Sequence, residues 1–210
     1  MTTPEQTVRL RIDSVAVDRG ELRIDYAVDN TDAAEVYVFN RLPDRYGQQG
    51  KAGNRPLASL AQACLRPPST AVMRLGPVPA PVHPGFSITG KFEPYASRMQ
   101  PKTTLRATIR ARLPLAEWTE YCEPVRPAEA EAIVVERVTL ETDIAVGPSR
   151  DDVHDETGGW LLGPLALAAG LMGGRVYRIS AGATRQRLTA TAEVAALGVT
   201  LLEHPQPDRF

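Results

Sequence analysis

The sequence predicts an all-β protein, built as a two-sheet antiparallel sandwich with long proline- and glycine-rich loops. Three observations support this fold class. Apolar and polar residues alternate with a period of two in several short segments, turn-forming residues separate these segments, and no long segment has the 3.6-residue period of a helix. The predicted strands cover residues 7–17, 21–29, 35–42, 104–113, 133–146 and 186–202.

The first two segments predict a β-hairpin. Residues 8–12 and residues 22–28 both alternate apolar with mostly polar side chains, so each strand has one face suited to a core. The sequence Asp-Arg-Gly at residues 18–20 lies between them and is typical of a tight turn.

The second strand of this hairpin carries a family resemblance. Leu22, Ile24, Tyr26 and Val28, followed by Asn30, form a pattern similar to that of small intracellular immunoglobulin-like modules, including BsuPI-type proteinase inhibitors. At fold level this resemblance implies an immunoglobulin-like sandwich, and it adds weight to a binding role. The Cys–Trp–Cys spacing typical of antibody domains is absent from the sequence.

Later segments, together with residues 104–113, complete the predicted sheets. Residues 36–42 are apolar on both faces, which is typical of a strand that is central or covered on its second side. Residues 133–146 form the longest strand candidate, and residues 186–202 contain a final alternating run.

The stretch before the proline-rich region allows two interpretations. Residues 57–65 have helical spacing, whereas residues 61–66 and 71–75 can form a hairpin around Pro-Pro-Ser at residues 67–69. We favour the hairpin, because the two prolines would end a helix.

The chain length of 210 residues suits a single β-sandwich domain over residues 1–210. A composition of 43% hydrophobic and 23% charged residues is typical of a globular protein. We expect irregular insertions near residues 44–56, 76–101 and 147–174, and a frayed tail at 204–210. Because proline cannot donate to a β-ladder, residues 76–101 are predicted to form an extended surface crossover or a sheet edge.

Charge and hydropathy exclude several functional classes. The net charge of -1 gives no basic footprint, so we predict no nucleic-acid partner. The N-terminus lacks the pattern of a secretory signal, and the longest apolar stretch, residues 160–174, is too short to span a bilayer. We therefore predict a soluble cytoplasmic protein in which Cys64 and Cys122 are reduced thiols, with a disulfide between them as the alternative.

Arginine dominates the basic residues, because only Lys51, Lys91 and Lys102 among the 24 are lysines. GC-rich coding, as in many bacteria, explains such a bias. The alternative explanation is selection for the planar guanidinium group, which binds carboxylates and phosphates through two hydrogen bonds.

Three arginines share one face of a predicted strand and form a candidate partner-binding surface: Arg106, Arg110 and Arg112. They would lie near the arginines of the first strand and could bind an acidic partner. The simpler interpretation is a solvated sheet face, on which they meet Asp25, Glu141 or Asp143 across strands.

One acidic segment is a candidate metal site, formed by Asp151, Asp152, His154, Asp155 and Glu156. Carboxylates and an imidazole can bind a divalent cation together. The spacing of an EF-hand and a second histidine at helical distance are both missing, so a solvated acidic loop is the simpler interpretation.

Two further groups of residues could bind a partner. Trp118 and Tyr121 lie in a proline-rich connection, where aromatic side chains anchor the chain to a core or stack on a ligand. Trp160, Leu161 and Leu162 begin a glycine-rich apolar stretch, which would form a partner site if it were exposed.

The sequence contains no nucleophile elbow and no phosphate-binding loop, so we predict no catalytic residue and no cofactor. Our main hypothesis is a non-catalytic module that binds another protein, since loops on a rigid scaffold and exposed sheet edges suit recognition. Edge pairing between two copies is also possible. The alternatives are a metal-dependent hydrolase that uses residues 151–156, and a small-ligand or carbohydrate binder that uses Trp118 and Tyr121.

Overall fold

The computed structural model of the chain describes residues 7–43, 56–57, 61–76, 95–116, 132–155, 176–180 and 183–202. Within these ranges the chain forms β-strands and two short 3-10 turns, and it contains no α-helix. The predicted all-β class is therefore confirmed. None of the described segments is a helix long and apolar enough to cross a membrane.

The strands follow the predicted pattern closely in the first half of the chain and less closely in the second. Those of the first half are β1 (Val8–Asp18), β2 (Glu21–Asn30), β3 (Val36–Pro43), β4 (Pro56–Leu57), β5 (Gln62–Arg66), β6 (Thr70–Arg74), β7 (Tyr95–Met99) and β8 (Thr104–Arg112). Those of the second half are β9 (Leu115–Ala116), β10 (Ala132–Val134), β11 (Arg137–Val146), β12 (Val153–Asp155), β13 (Tyr177–Ile179), β14 (Arg185–Glu193) and β15 (Thr200–Leu202).

The described strands form three sheets. Two have three strands each, in the orders β1-β2-β8 and β10-β15-β9. The third has nine strands, along the path β12-β13-β7-β3-β11-β6-β5, with β14 paired to β11 and β4 paired to β3. Because β6 runs parallel to β11 and β9 runs parallel to β15, the sheets are mixed and the predicted purely antiparallel arrangement is wrong. Parallel pairing is possible because long stretches of chain, rather than hairpin turns, separate these partners.

The predicted N-terminal hairpin is confirmed. β1 and β2 pair antiparallel down to Asp18 and Glu21. The two turn residues, Arg19 and Gly20, have φ angles of 49° and 77°, as a type I′ turn requires. The register shifts between Ile12 and Ser14, which leaves Asp13 as the extra residue of a β-bulge.

One hydrophobic cluster joins the three-stranded β1-β2-β8 sheet to the nine-stranded sheet. Every second residue of β1, β2 and β8 turns towards the nine-stranded sheet, as the alternating pattern predicted. The buried contributors from the smaller sheet are Val8, Leu10, Leu22, Ile24, Tyr26, Val28 and Ile109. Those from the larger sheet include Val36, Val38, Ala71, Met73, Val138, Leu140, Ile144 and Leu188.

The strand β3 is buried on both faces, as its sequence predicted. Val36 and Val38 belong to the shared core, whereas Tyr37 and Phe39 belong to a second cluster on the opposite face. In that second cluster the rings of Tyr37 and Tyr177 meet edge to face, with centroids 5.5 Å apart. The position of β3 between β7 and β11 explains why both of its faces are apolar.

The strand β11 is the hub of the larger sheet. One of its edges pairs with β14 from Arg137 to Ala145. Its other edge pairs first with β6, up to Glu141, and then with β3, from Ile144 onward. Two strands therefore follow one another along a single edge of β11, and their ends meet at the gap between Glu141 and Ile144.

A glycine makes this junction possible. A Cβ atom on Gly76 would lie only 1.8 Å from the backbone oxygen of Phe39. At the same junction the N–H of Leu75 donates to the oxygen of Glu141 at 2.9 Å, and the hydroxyl of Thr142 donates to the oxygen of Phe39 at 2.9 Å. The end of β6 and the end of β3 thus approach so closely that no side chain fits between them.

Two predicted segments differ from the structure. The long strand expected over residues 133–146 is interrupted after Val134, because the N–H of Val135 donates to Val199 and that of Glu136 donates to Ser69. Residues 95–99, expected within the proline-rich crossover, form β7 and pair with both β3 and β13. These five residues lie between Pro94 and Pro101 and contain no proline, so all of them can donate to a ladder.

We expect Gly76→Ala to lower the free energy of unfolding by about 2 kcal/mol or more, because the added methyl group overlaps the Phe39 carbonyl. Gly147→Asn is the matched control, since nothing lies within 4 Å of a Cβ there and asparagine tolerates its φ of +53°. Urea unfolding of both variants measures the difference. Equal stability of the two variants would contradict the close approach of β6 and β3.

A pH effect follows from the buried hydroxyl of Tyr26. The amide of Asn40 donates to this hydroxyl at 3.3 Å, and burial raises the pKa of Tyr26 to about 12. The folded protein therefore holds the phenolic proton more tightly than the unfolded chain does. The resulting stabilisation is complete below pH 10 and is lost as the pH rises towards 12.

Between pH 9 and pH 11 the wild-type protein should lose about 1 kcal/mol more stability than Tyr26→Phe, which has no phenolic proton. Urea unfolding at the two pH values tests this expectation. The same loss in both proteins would show that Tyr26 is not titrating in a buried site.

Candidate functional site

The outer face of the β1-β2-β8 sheet is densely charged. Residues that alternate with the core residues point away from the larger sheet along all three strands. We call this surface the charged face. Its charged members are Arg9, Arg11, Asp13, Asp18, Glu21, Arg23, Asp25, Asp29, Arg106, Arg110 and Arg112.

At one end of the charged face the bulge residue Asp13 neutralises two arginines. Its carboxylate forms an ion pair with Arg11, and its Oδ2 accepts a hydrogen bond from Nη1 of Arg106 at 2.9 Å. Arg11 also donates from Nε to Oδ2 of Asp29 at 2.9 Å. Arg106 therefore lies near the arginines of β1, as expected, but it is already paired.

The carboxylates of the two aspartates of β2 accept hydrogen bonds from hydroxyl groups of neighbouring strands. Asp25 accepts hydrogen bonds from Thr108 at 2.6 Å and from Ser14 at 2.8 Å, and these bonds hold its pKa below the ordinary value. Asp29 accepts a bond from Thr104 at 2.7 Å, which lowers its pKa in the same way. Both carboxylates are therefore satisfied within the sheet, and neither is available to Arg110 or Arg112.

Arg110 and Arg112 differ from Arg11, Arg23 and Arg106 of the charged face in having no described ion-pair partner. Both are exposed, and neither forms an ion pair or a hydrogen bond with any residue in the described part of the chain. Arg110 lies opposite Arg23, which binds Asp25, and Arg112 lies opposite Glu21 without forming an ion pair to it. Asp18, which lies 4.0 Å from Arg19, and Glu21 are also at this end, so the positive charge is partly balanced nearby although the two guanidinium groups have no described ion pair.

The same two arginines lie on a sheet edge that is open as far as the described strands show. β8 pairs with β2, and none of the other described strands pairs with its second edge. The N–H of Asn30 donates to Thr103 and the N–H of Leu113 donates to Gly20, which fixes the alternation of hydrogen-bonded pairs between β2 and β8. The residues that direct their backbone N–H and C=O groups away from β2 are therefore Thr104, Arg106, Thr108, Arg110 and Arg112.

A second charged cluster lies on the opposite side of the molecule, on the outer face of β11. Glu141 accepts a hydrogen bond from Arg66 at 2.7 Å, and Asp143 accepts one from Arg187 at 3.0 Å. Nε of Arg74 lies 3.7 Å from Oε2 of Glu141, and neither atom has a hydrogen-bond partner.

Sequence reasoning missed the burial of this cluster. Glu141 and Asp143 were expected to meet the arginines of β8 on a solvated face, but they lie on a different sheet and are only 3% and 6% exposed. Their alternation with apolar residues is the same as in a half-exposed strand. The local pattern therefore gave no signal that the outer face of β11 is buried.

The acidic segment does not converge on one point. Asp151 and Asp152 lie in a 3-10 turn, where Asp152 accepts a hydrogen bond from Ser149 at 2.6 Å. His154 and Asp155 are adjacent residues of β12, so their side chains point to opposite faces. Across the described ranges, no three His, Cys, Asp or Glu side chains are placed to hold a metal ion, and Glu156 lies outside those ranges.

Several other candidates lie outside the described residues: Trp118, Tyr121, Cys122, Trp160, Leu161 and Leu162. Cys64 lies on β5 and is half-buried. Of the surfaces named from the sequence, the structure thus describes fully only the arginine row of β8.

Comparison of the chain with models of protein families, with curated proteins and with solved structures finds no match. Its function must therefore be inferred from its own residues. Among the described residues, the arginine row on the edge of β8 gives the strongest indication of a binding surface.

Proposed function

We propose that the protein is a non-catalytic intracellular module that binds an acidic region of another protein through the charged face beside β8. The observation that carries this proposal is the pair Arg110 and Arg112. Both side chains are exposed, unpaired within the described residues, and held two residues apart on one strand. A strand that presents unpaired charged side chains is suited to recognition of the opposite charge.

The chemistry of the side chain suits a partner that presents carboxylates. A guanidinium group forms two parallel hydrogen bonds with a carboxylate, and these charge-assisted bonds are stronger than neutral ones. Because the neighbouring aspartates are bound to Thr104, Thr108, Ser14 and Arg11, they do not compete for the free arginines.

The proposed scaffold is a two-layer sandwich of the immunoglobulin-like kind. The single hydrophobic cluster shared by the β1-β2-β8 sheet and the nine-stranded sheet supports a sandwich. The parallel pairs β6–β11 and β9–β15 depart from an immunoglobulin domain, whose sheets are antiparallel.

The two alternative functions, a metal-dependent hydrolase and a small-ligand binder, have less support from the described residues. A metal-dependent hydrolase needs converging ligands, whereas the described members of the segment 151–156 diverge along β12 and its preceding turn. A ligand site built on Trp118 and Tyr121 would use residues outside the described ranges.

Charge reversal of both arginines, Arg110→Glu with Arg112→Glu, should abolish capture of the partner from a native lysate. Bound proteins are compared by quantitative mass spectrometry between the wild-type protein and the variant. The partner should be acidic and should dissociate as salt increases, since exposed ion pairs are screened at high ionic strength.

The matched control is Arg137→Glu with Arg150→Glu, which changes the net charge equally at two exposed arginines away from β8. This control should capture the same protein as the wild type. If wild type, variant and control capture the same set, or if the wild type captures nothing specific, the proposed function is wrong.

A further inference from the structure

The residues of β8 that direct their backbone groups to the open edge also carry the side chains of the charged face. Thr104, Arg106, Thr108, Arg110 and Arg112 carry the outward backbone groups, and their side chains all lie on the charged face. An extended segment that paired with this edge would therefore place its own side chains next to the arginines. Cβ atoms of directly opposed residues in such a pair are about 5 Å apart.

The opposite face of β8 offers apolar contacts to the same segment. Leu105, Ala107 and Ala111 alternate with the arginines, and they are partly buried against the edge of the shared core. An added strand would lay its intervening side chains beside these residues and extend that core. The edge therefore presents positive charge on one face and apolar surface on the other.

A second copy of the chain that paired through its own β8 does not fit this edge. None of the outward residues of β8 is acidic, so no register of β8 against β8 gives Arg110 or Arg112 a carboxylate opposite. An antiparallel pair centred on Thr108 would place Arg106 directly opposite Arg110, and like charges in that position are destabilising. Charge complementarity thus favours a different, acidic chain.

We infer that the partner adds an antiparallel strand to the edge of β8, through a segment in which two acidic residues flank one apolar residue. The acidic side chains lie opposite Arg112 and Arg110, and the apolar one lies beside Ala111. This inference rests on the proposed function and specifies its mode of binding. Main-chain hydrogen bonds supply affinity in this mode, while the alternate side chains supply specificity.

A synthetic peptide tests the inference directly. The probe is the fluorescein-labelled peptide Ser-Glu-Val-Glu-Val-Thr-Val-Thr-Ser, and fluorescence anisotropy measures its binding to the full chain. The isomer Ser-Glu-Glu-Val-Val-Thr-Val-Thr-Ser has the same composition and charge, but its two glutamates point to opposite faces of a strand. We expect the isomer to bind about tenfold or more weakly, because one carboxylate loses its arginine.

A second control removes the backbone donors and leaves the charge intact. In the alternating peptide, both glutamate nitrogens are methylated, which deletes the N–H groups that would face β8 in an antiparallel pair. We expect binding about tenfold weaker or worse. The variant Arg110→Glu with Arg112→Glu should bind the alternating peptide at least as weakly, whereas Arg137→Glu with Arg150→Glu should bind it like the wild type.

The outcomes separate the inference from the proposed function. If the methylated peptide or the isomer binds as tightly as the alternating peptide, strand addition is wrong, while recognition of acidic groups by the arginines stands. If the alternating peptide does not bind, strand addition is also wrong, and lysate capture still decides the proposed function. A wild-type dimer that dissociates on reversal of Arg110 and Arg112 would assign the edge to a second copy and overturn the inference.

Discussion

The burial of β11 on both faces and both edges is the constraint on which the rest of the structure depends. Its inner residues Val138, Leu140 and Ile144 lie in the shared core, and its outer carboxylates Glu141 and Asp143 are buried beneath arginines. Such carboxylates are tolerated because each accepts a charge-assisted hydrogen bond. A strand held in this way fixes the positions of β3, β6 and β14 around it.

The β1-β2-β8 sheet packs against the sheet that contains β11. Its inner residues pack into the same cluster as those of β11, and β1 contacts β14 at one side. At the opposite side, no described strand pairs with the outer edge of β8. Ion pairs and hydrogen bonds neutralise the charged face around Asp13, Asp25 and Asp29, whereas Arg110 and Arg112 have no described ion pair, so the proposed binding surface is confined to one end of one strand.

Local patterns in the sequence predicted the elements whose partners are close along the chain. The β1–β2 hairpin, the β5–β6 hairpin and the double-sided apolar character of β3 all follow from residues within a short window. Elements defined by distant partners were not predictable. β7 owes its formation to strands on either side, and the break after Val134 depends on bonds to Val199 and Ser69.

The candidate site was predictable to the same extent. Alternation alone placed Arg106, Arg110 and Arg112 on one face of one strand. Which of them is neutralised depends on the bulge at Asp13, and therefore on the register of β1 against β2. The sequence carries no local signal for that register shift, so it could not separate the paired arginine from the two unpaired ones.

Amide hydrogen exchange of the native protein tests the central claim most directly, because it reports which backbone groups of β8 lack a partner. The amides of Leu105, Ala107, Ile109 and Ala111, which face β2, should exchange slowly. Those of Arg106, Thr108, Arg110 and Arg112 should exchange much faster. Equal protection along β8 would show that the edge is already occupied, and a docking site on that edge would then be excluded.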